Sequence, residues 1–106
     1  MVKTQDEVIE TQRLVDDIKK IGFDKMDEGD LDIINQFITL LKPYLEMVDY
    51  TIDNLWATLK DTYDTKLFIQ FNSYRFTSEE LHKLIPQLES DAMNLKKHLE
   101  ERRNGN

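Results

Sequence analysis

KLFIQFNSYRFTSEEL, residues 66–81, is the stretch of sequence on which the fold depends. Its aromatic and β-branched residues favour strands, so LFIQF and YRFT are candidates for a β-hairpin that turns at Asn72 and Ser73. Asn-Ser is a weak hairpin turn, because a type I′ turn needs a positive φ at its second position and Ser adopts one poorly. As a helix, the same stretch places Leu67 and Phe71 one turn apart on an apolar face. We therefore predict a helix that ends at Phe71 and a short connection after it.

A second helix start is predicted just beyond that connection. Thr77-Ser-Glu-Glu80 has the pattern of a capping box, in which the Thr hydroxyl and the Glu carboxylate bind free backbone N–H groups. The apolar residues that follow recur every three or four positions, as in a helix with one buried face. The last helix is therefore predicted to span residues 78–103, with Pro86 near its start. Residues 104–106 are predicted to be a disordered tail.

Pro43 interrupts the other long apolar stripe of the sequence. Apolar side chains recur at helical spacing on both sides of it, from Ile34 to Leu41 and from Leu45 to Leu59. Proline lacks an N–H group and its ring clashes with the preceding turn, so it is favoured near a helix start and not in a helix interior. We therefore predict two separate helices, one before and one after this proline.

The first helix is predicted from its own start and stop signals. Thr4 and Glu7 form another capping-box pattern, and Gly22 is a natural helix end because glycine tolerates the left-handed conformation. The acidic segment after Gly22 is predicted to be a loop, with Asp30 as the cap of the second helix. The complete prediction is an all-α, antiparallel four-helix bundle that forms one domain of residues 1–106, with helices at about 5–21, 31–42, 44–71 and 78–103.

The composition of the chain disfavours several classes of function. Its 21 acidic and 14 basic residues give a net charge of −7, which opposes binding to a phosphate backbone. The sequence has no cysteine, so it can form no disulfide, thiol nucleophile or cysteine-ligated metal site. The charged amino terminus has no continuous apolar run, so we expect neither a signal peptide nor a membrane span. We therefore predict a cytoplasmic protein that binds neither nucleic acid nor membranes.

No sequence motif for catalysis or metal binding is complete. Glu79 and His82 form the Glu-x-x-His unit of di-iron four-helix proteins, but the sequence has no second unit. The segment from Asp24 to Asn35 has the look of a calcium-binding EF-hand loop, but its twelfth residue is Asn35 instead of a bidentate Glu. The glycines do not form a phosphate-binding loop. We therefore predict no enzyme activity, no cofactor and no metal.

Three short resemblances to known families accompany these patterns. YRFTSEEL, residues 74–81, is similar to the wing-to-helix passage of winged-helix transcriptional regulators, which implies a hairpin at residues 66–77. YRFTSEELHKLI, residues 74–85, is similar to a segment of the bacteriocin-immunity proteins, which implies a four-helix fold. Arg75 and His82 fit the loose Arg-x(4–6)-His pattern of the helical HEPN ribonucleases, which implies RNA cleavage. The acidic composition departs from DNA-binding proteins and from the usually basic immunity proteins.

An acidic stripe beside aromatic residues is the predicted functional surface. Glu46, Asp49 and Asp53 lie on the face of the third predicted helix that is opposite its apolar seam. Trp56 and Tyr63 are residue types that anchor protein interfaces, and they exceed what a small helical core needs. We therefore predict a non-catalytic adaptor, inhibitor or regulatory subunit that binds a basic or apolar protein partner through these five residues. Pairing of the last helix with its own copy in a homodimer is a further expectation.

Overall fold

The computed structural model describes residues 3–105 and the side chains of residues 6–105. Within that part the chain forms three long α-helices and no strand, which confirms the all-α prediction. The prediction of four helices is wrong, and the hairpin considered at residues 66–77 is absent because that segment is helical throughout. The helices are α1, Lys3–Ile21; α2, Glu28–Leu59; and α3, Thr65–Asn104, with a short 3₁₀ turn, Phe23–Lys25, between α1 and α2.

Gly22 and Asp27 shape the connection between α1 and α2. Gly22 has a φ of 82°, which disfavours any side chain, and its N–H donates to the Ile18 carbonyl at 3.0 Å. The Asp27 carboxylate accepts a hydrogen bond from the Asp30 N–H, and the Asp30 carboxylate accepts one from the Asp27 N–H. Asp27 is therefore the cap of α2, and Asp30, the predicted cap, is its third residue. The predicted capping box at Thr4 lies outside the described side chains.

α2 continues through Pro43, where the sequence predicted a break. The apolar residues keep one rhythm of three and four across the proline, and Leu41 and Val48, on either side of it, are both buried. Pro43 itself is exposed, as is Thr39, whose carbonyl would otherwise accept the missing N–H. Water can bind that carbonyl, so packing of the seam outweighs the lost hydrogen bond.

α3 is one helix of 40 residues where two were predicted. It begins after Asp64, whose carboxylate accepts hydrogen bonds from two backbone N–H groups of the first turn. Thr77, the predicted cap, is fully buried within the helix, and its hydroxyl donates to the Ser73 carbonyl at 3.1 Å. An apolar seam at spacings of three and four passes straight through the predicted connection, so no turn forms after Phe71. The members of this seam are Leu67, Phe71, Tyr74, Ser78, Leu81, Ile85, Leu88, Ala92, Leu95 and Leu99.

α3 is the central helix, because it contacts α1, α2 and the 3₁₀ turn. The turn after α1 contacts the end of α3, where Arg102 donates to the Phe23 carbonyl at 2.7 Å and His98 Nε2 lies 2.7 Å from an Asp24 carboxylate oxygen. α1 packs back along α3 from that point, parallel to it. The molecule is a rod with principal extents of 65, 20 and 16 Å. α2 runs antiparallel to α3, as pairs at successive levels show: Glu28 with Arg103, Lys42 with Glu89, Asp49 with Ser78, and Trp56 with Phe71.

α1 covers only part of this rod. With 19 and 40 residues, α1 and α3 are about 28 and 60 Å long at 1.5 Å per residue. Counted back from His98, α1 reaches the level of about residue 80 of α3. Residues 47–80 therefore form a two-helix arm that extends beyond α1, and the remainder is a three-helix body. The buried core lies mainly in the body and includes Val8, Val15, Ile18, Met26, Ile34, Leu41, Leu84, Ile85, Leu88, Ala92 and Leu95.

Pro43 and Pro86 lie at the same level of the rod. Pro86 lines a groove together with Lys42 and Leu45, which lie one residue before and two residues after Pro43 on α2. Both prolines are exposed and lie within a helix that continues past them. The two interruptions of backbone hydrogen bonding are therefore side by side, close to where the arm begins.

Two further predictions concern the tail and membranes. α3 includes Asn104, and the Gly105 N–H donates to the Glu101 carbonyl at 2.8 Å, whereas Asn106 is outside the described residues. None of the described helices is both long enough and apolar enough to cross a membrane.

Candidate functional site

The five predicted site residues lie along one side of the arm and at its tip. Glu46, Asp49, Asp53 and Trp56 follow one another on α2 at intervals of three and four, and Tyr63 lies in the loop between α2 and α3. Glu46 and Asp53 are exposed, Trp56 is 55% exposed and Tyr63 is 94% exposed. The helix brings the first four residues together, and we refer to those four as the acidic side of the arm. Tyr63 stands apart from them at the tip.

Asp49 differs from the other site residues because it binds α3. Its Oδ1 accepts a hydrogen bond from the Ser78 hydroxyl at 2.5 Å, and its Oδ2 lies 3.1 Å from His82 Nε2. Ser78 and His82 are one turn apart on α3, so a single carboxylate links α2 to both of them. Asp49 therefore fixes the packing of the arm in addition to contributing charge to its surface.

Trp56 is held against α3 by an aromatic contact. Its ring lies 5.7 Å from the ring of Phe71, with 28° between the two planes. The guanidinium carbon of Arg75 lies 5.7 Å from the centre of the same Phe71 ring. Phe71 is buried, whereas more than half of Trp56 remains exposed. The stack restricts the Trp56 side chain before any partner arrives, which lowers the entropy cost of binding to it.

Two shallow grooves between α2 and α3 flank Asp49. The groove nearer the tip has a volume of about 350 Å³, and three carboxylates line it, those of Asp49, Asp53 and Glu79, together with the Arg75 guanidinium. The groove nearer the body has a volume of about 260 Å³, and it combines an apolar surface with charged groups. Its lining residues are Lys42, Leu45, Glu46, Asp49, Leu81, His82, Ile85 and Pro86.

Two cations along this side, Lys42 and Arg75, are already next to carboxylates, whereas Lys60, four residues after Trp56, takes part in no ion pair among the described residues. Lys42 Nζ lies 2.7 Å from a Glu89 carboxylate oxygen, and Arg75 forms a longer contact of 3.4 Å with Glu79 on the same helix. Among the described residues, Glu46 and Asp53 take part in no ion pair. Within the described part of the chain, Glu46 and Asp53 therefore present negative charge that no ion pair uses.

Ser78, Asp49 and His82 are the residue types of a hydrolytic triad, but their order is different. In such a triad the His lies between the Ser and the Asp and accepts the Ser proton. Here Asp49 lies in the middle, and the Ser78 hydroxyl donates to its carboxylate. No hydrogen bond joins the His82 imidazole to the Ser78 hydroxyl, and the imidazole would need one to activate that hydroxyl as a nucleophile. This cluster therefore joins two helices and does not assemble a serine nucleophile.

The residues that resembled metal or nuclease motifs are used differently in the structure. Glu79 binds Arg75, and His82 faces Asp49. Among the described residues, no three His, Asp or Glu side chains lie close enough together to hold a metal ion. The segment that has the look of an EF-hand loop is helical from Glu28 onward, so most of its ligand positions lie on a helix.

Tyr44 lies where the arm meets the body. Its hydroxyl oxygen is buried and has no hydrogen-bond partner among the described residues. Burial raises the pKa of this phenol above its ordinary value of 10.0, and the nearby Glu7 carboxylate and Tyr74 raise it further.

Apolar residues on the opposite side of the arm were not recognised in the sequence. Met47 is 53% exposed, Ile69 is 59% exposed and Phe76 is 47% exposed. The signal for them is the unbroken seam of α3: once residues 66–81 form one helix, Ile69 and Phe76 are seven residues apart, outside the seam and on a shared face. The predicted break after Phe71 concealed this relation.

Comparison of the chain with protein families, curated proteins and solved structures found no match. The candidate site is therefore defined by its own geometry, which is an acidic and aromatic side of a two-helix arm.

Proposed function

We propose that this chain is a non-catalytic protein-binding module, acting as an adaptor, inhibitor or regulatory subunit, and that its contact surface is the acidic side of the arm with Tyr63 at the tip. The observation that carries this proposal is the exposed Trp56 ring, which is stacked on Phe71 and lies three residues after Asp53, a carboxylate that takes part in no ion pair among the described residues. A restricted and exposed aromatic ring is a typical anchor of an interface, because it offers a large apolar area at low entropic cost.

The chemistry of this surface selects the kind of partner. Glu46 and Asp53 attract a Lys or Arg side chain, and the Trp56 ring offers an apolar face on which a guanidinium or ammonium group can lie. The partner is therefore a protein surface that combines basic and apolar side chains. Rim charges of this kind accelerate association, so binding weakens as the salt concentration rises.

A charge-reversal experiment tests this proposal. The double variant Glu46→Lys/Asp53→Lys reverses both unpaired carboxylates and leaves Asp49 in its contact with α3. The matched control is Glu10→Lys/Asp17→Lys, because these acidic residues are also exposed and seven positions apart on one helix, but they lie on α1. Each protein is immobilised, and the proteins that it captures from a lysate are quantified by mass spectrometry at low and moderate salt.

We expect the wild type and the α1 control to capture proteins that the Glu46→Lys/Asp53→Lys variant does not capture. A Trp56→Ala variant is expected to reduce capture of the same proteins, because it removes the aromatic anchor. Capture of the same proteins by all of the variants, or of none by the wild type, would refute the assignment of this surface.

The functions implied by the short family resemblances receive less support. A winged-helix regulator requires the hairpin at residues 66–77, and that segment is an uninterrupted part of α3. The likeness to bacteriocin-immunity proteins implied four helices, and the described chain has three. No feature of the structure favours either alternative over a protein-binding module.

A further inference from the structure

The side of the arm that faces away from Asp49 and Trp56 is an uncovered continuation of the site where α1 packs. His98 contacts the turn after α1 through Phe23 and Asp24, so α1 lies along the side of α3 that carries His98. Leu84 and Asp91 precede it at intervals of seven on the same side, and both are buried. Beyond the first described residues of α1, no third helix among residues 3–105 covers this side of α3.

A regular stripe occupies that uncovered part of α3. Its five residues follow one another at spacings of three, four, three and four, which keeps them on one face of the helix. The two central apolar residues, Ile69 and Phe76, are about half exposed. On α2, Met47 is two residues before Asp49, and residues two apart lie on different sides of a helix, so this exposed Met lies away from the acidic side. We refer to the α3 residues as the apolar stripe: Lys66, Ile69, Ser73, Phe76 and Glu80.

The apolar stripe carries opposite charges at equal distances from its centre. Lys66 and Glu80 are its only charged members, each is seven residues from Ser73, and Glu80 also has Lys83 of the same helix 3.3 Å away. A surface with a positive residue at one end and a negative residue at the other is complementary to itself when a copy is turned end to end. In such a pairing Lys66 of one chain meets Glu80 of the other, twice, and the apolar residues meet in between.

We propose that the apolar stripe binds a second copy of this chain, with the two α3 helices antiparallel and a two-fold axis near Ser73. The small side chain at the axis allows the two helices to approach closely, and Ile69 of each chain packs against the Phe76 region of the other. Charged groups are confined to the ends of this contact, as they are at the rims of stable interfaces. The acidic side lies on the opposite side of the arm, so its carboxylates do not oppose one another in the dimer.

Sedimentation equilibrium of the whole chain tests the proposal directly. As the concentration rises, the wild type is expected to pass from a mass of 12.6 kDa to twice that value. Small-angle scattering of the dimer is expected to show a rod about 90 Å long, because 31 residues of α3 extend from Ser73 to Asn104 on each side of the axis. The Ile69→Glu/Phe76→Glu variant is expected to remain a monomer at every concentration.

Charge reversal tests the antiparallel register. Lys66→Glu or Glu80→Lys alone places like charges opposite each other at both ends, and each is expected to weaken the dimer about tenfold. An equimolar mixture of these two single variants is expected to form a heterodimer as tightly as the wild type forms its homodimer, because each end again has opposite charges. Lys97→Glu, a charge reversal on the same helix in the body, is the control and is expected to leave the dimer unchanged.

Circular dichroism of each variant shows whether it is folded. Several results would overturn the proposal. A wild type that stays monomeric up to its highest soluble concentration would refute it, even if a different protein then bound the apolar stripe. A dimer that survives Ile69→Glu/Phe76→Glu, or single variants that fail to associate when mixed, would place the contact elsewhere. The outcome is independent of the proposed function, since Glu46→Lys/Asp53→Lys is expected to dimerise normally while losing its captured partners.

Discussion

Asp49 joins the two longest helices through one carboxylate, and its partner Ser78 is only 9% exposed. Removal of the carboxylate by Asp49→Ala leaves the Ser78 hydroxyl with little access to water and without its acceptor, and it also removes the contact with His82. We expect this variant to lose about 1–3 kcal/mol of unfolding free energy in urea denaturation. Asp53→Ala, one turn later and without such a partner, is the control and is expected to change stability by no more than about 0.5 kcal/mol. Equal effects of the two substitutions would show that the inter-helix contact contributes nothing.

Tyr44 has a hydroxyl that is buried without a described partner. An unpartnered buried polar group costs desolvation energy that no hydrogen bond returns. Tyr44→Phe removes this group and preserves the ring, so we expect the unfolding free energy to rise by about 1 kcal/mol. A clear loss of stability in urea denaturation would instead mean that the hydroxyl has a partner in solution.

The raised pKa of Tyr44 also predicts how stability depends on pH. In the unfolded chain this phenol ionises near its ordinary pKa of 10.0, whereas in the folded protein it stays protonated to higher pH. Above pH 10 the folded state therefore binds more protons than the unfolded state. The contribution of Tyr44 to the unfolding free energy is fully present below pH 10 and is lost as the pH rises through the folded pKa. We expect the urea midpoint of the wild type to fall more steeply above pH 10 than that of Tyr44→Phe, and parallel curves would contradict this.

At the scale of the helices, the continuity of α3 through residues 72–77 is the feature that most directly separates the structure from a four-helix chain. Asn72 is exposed and lies in a helix interior, so Asn72→Pro removes a backbone hydrogen bond and introduces a clash with the preceding turn. We expect it to lose about 3 kcal/mol of unfolding free energy, whereas Asn72→Ala changes little. A proline tolerated at this position would mean that the segment is a loop.

Local signals and long-range packing explain which helices could be predicted. The end of α1 at Gly22 depends on a conformation that glycine alone adopts easily, so one residue was enough. Pro43 and the Thr77-to-Glu80 pattern are equally strong local signals, but each is overridden by a seam that continues on both sides and packs against the other long helix. A capping box is only a potential hydrogen-bond arrangement, and Thr77 satisfies its hydroxyl inside the helix instead.

The candidate site was predictable to the extent that it depends on helical spacing. Glu46, Asp49, Asp53 and Trp56 share a side of α2 because of their intervals, and this relation survives even though the helix boundaries were wrong. The bond from Asp49 to Ser78 was not predictable, because it joins residues 29 positions apart and depends on how two helices are aligned. No pattern within either helix specifies that alignment.

The whole molecule is much more extended than a globular chain of its length. A compact domain of 106 residues has a radius of gyration of about 13 Å, whereas the Cα atoms here give 17.6 Å. Small-angle scattering of a dilute solution, in which the chain is monomeric, is therefore expected to give a value near 17.6 Å. A value near that of a compact domain would mean that α2 or α3 folds back at one of the breaks that the sequence suggested.

The adjacent positions of Pro43 and Pro86 also determine where this rod bends. Each proline removes one backbone hydrogen bond from its helix. Because the two prolines lie at the same level of the rod, both helices can bend at the same place. Distances between spin labels at the tip and in the body are expected to be broadly distributed, and to narrow in Pro43→Ala/Pro86→Ala. An unchanged distribution would exclude a hinge. If the rod bends at the prolines, the tip moves relative to the body, and a protein bound at the tip can reach further without unwinding of either helix.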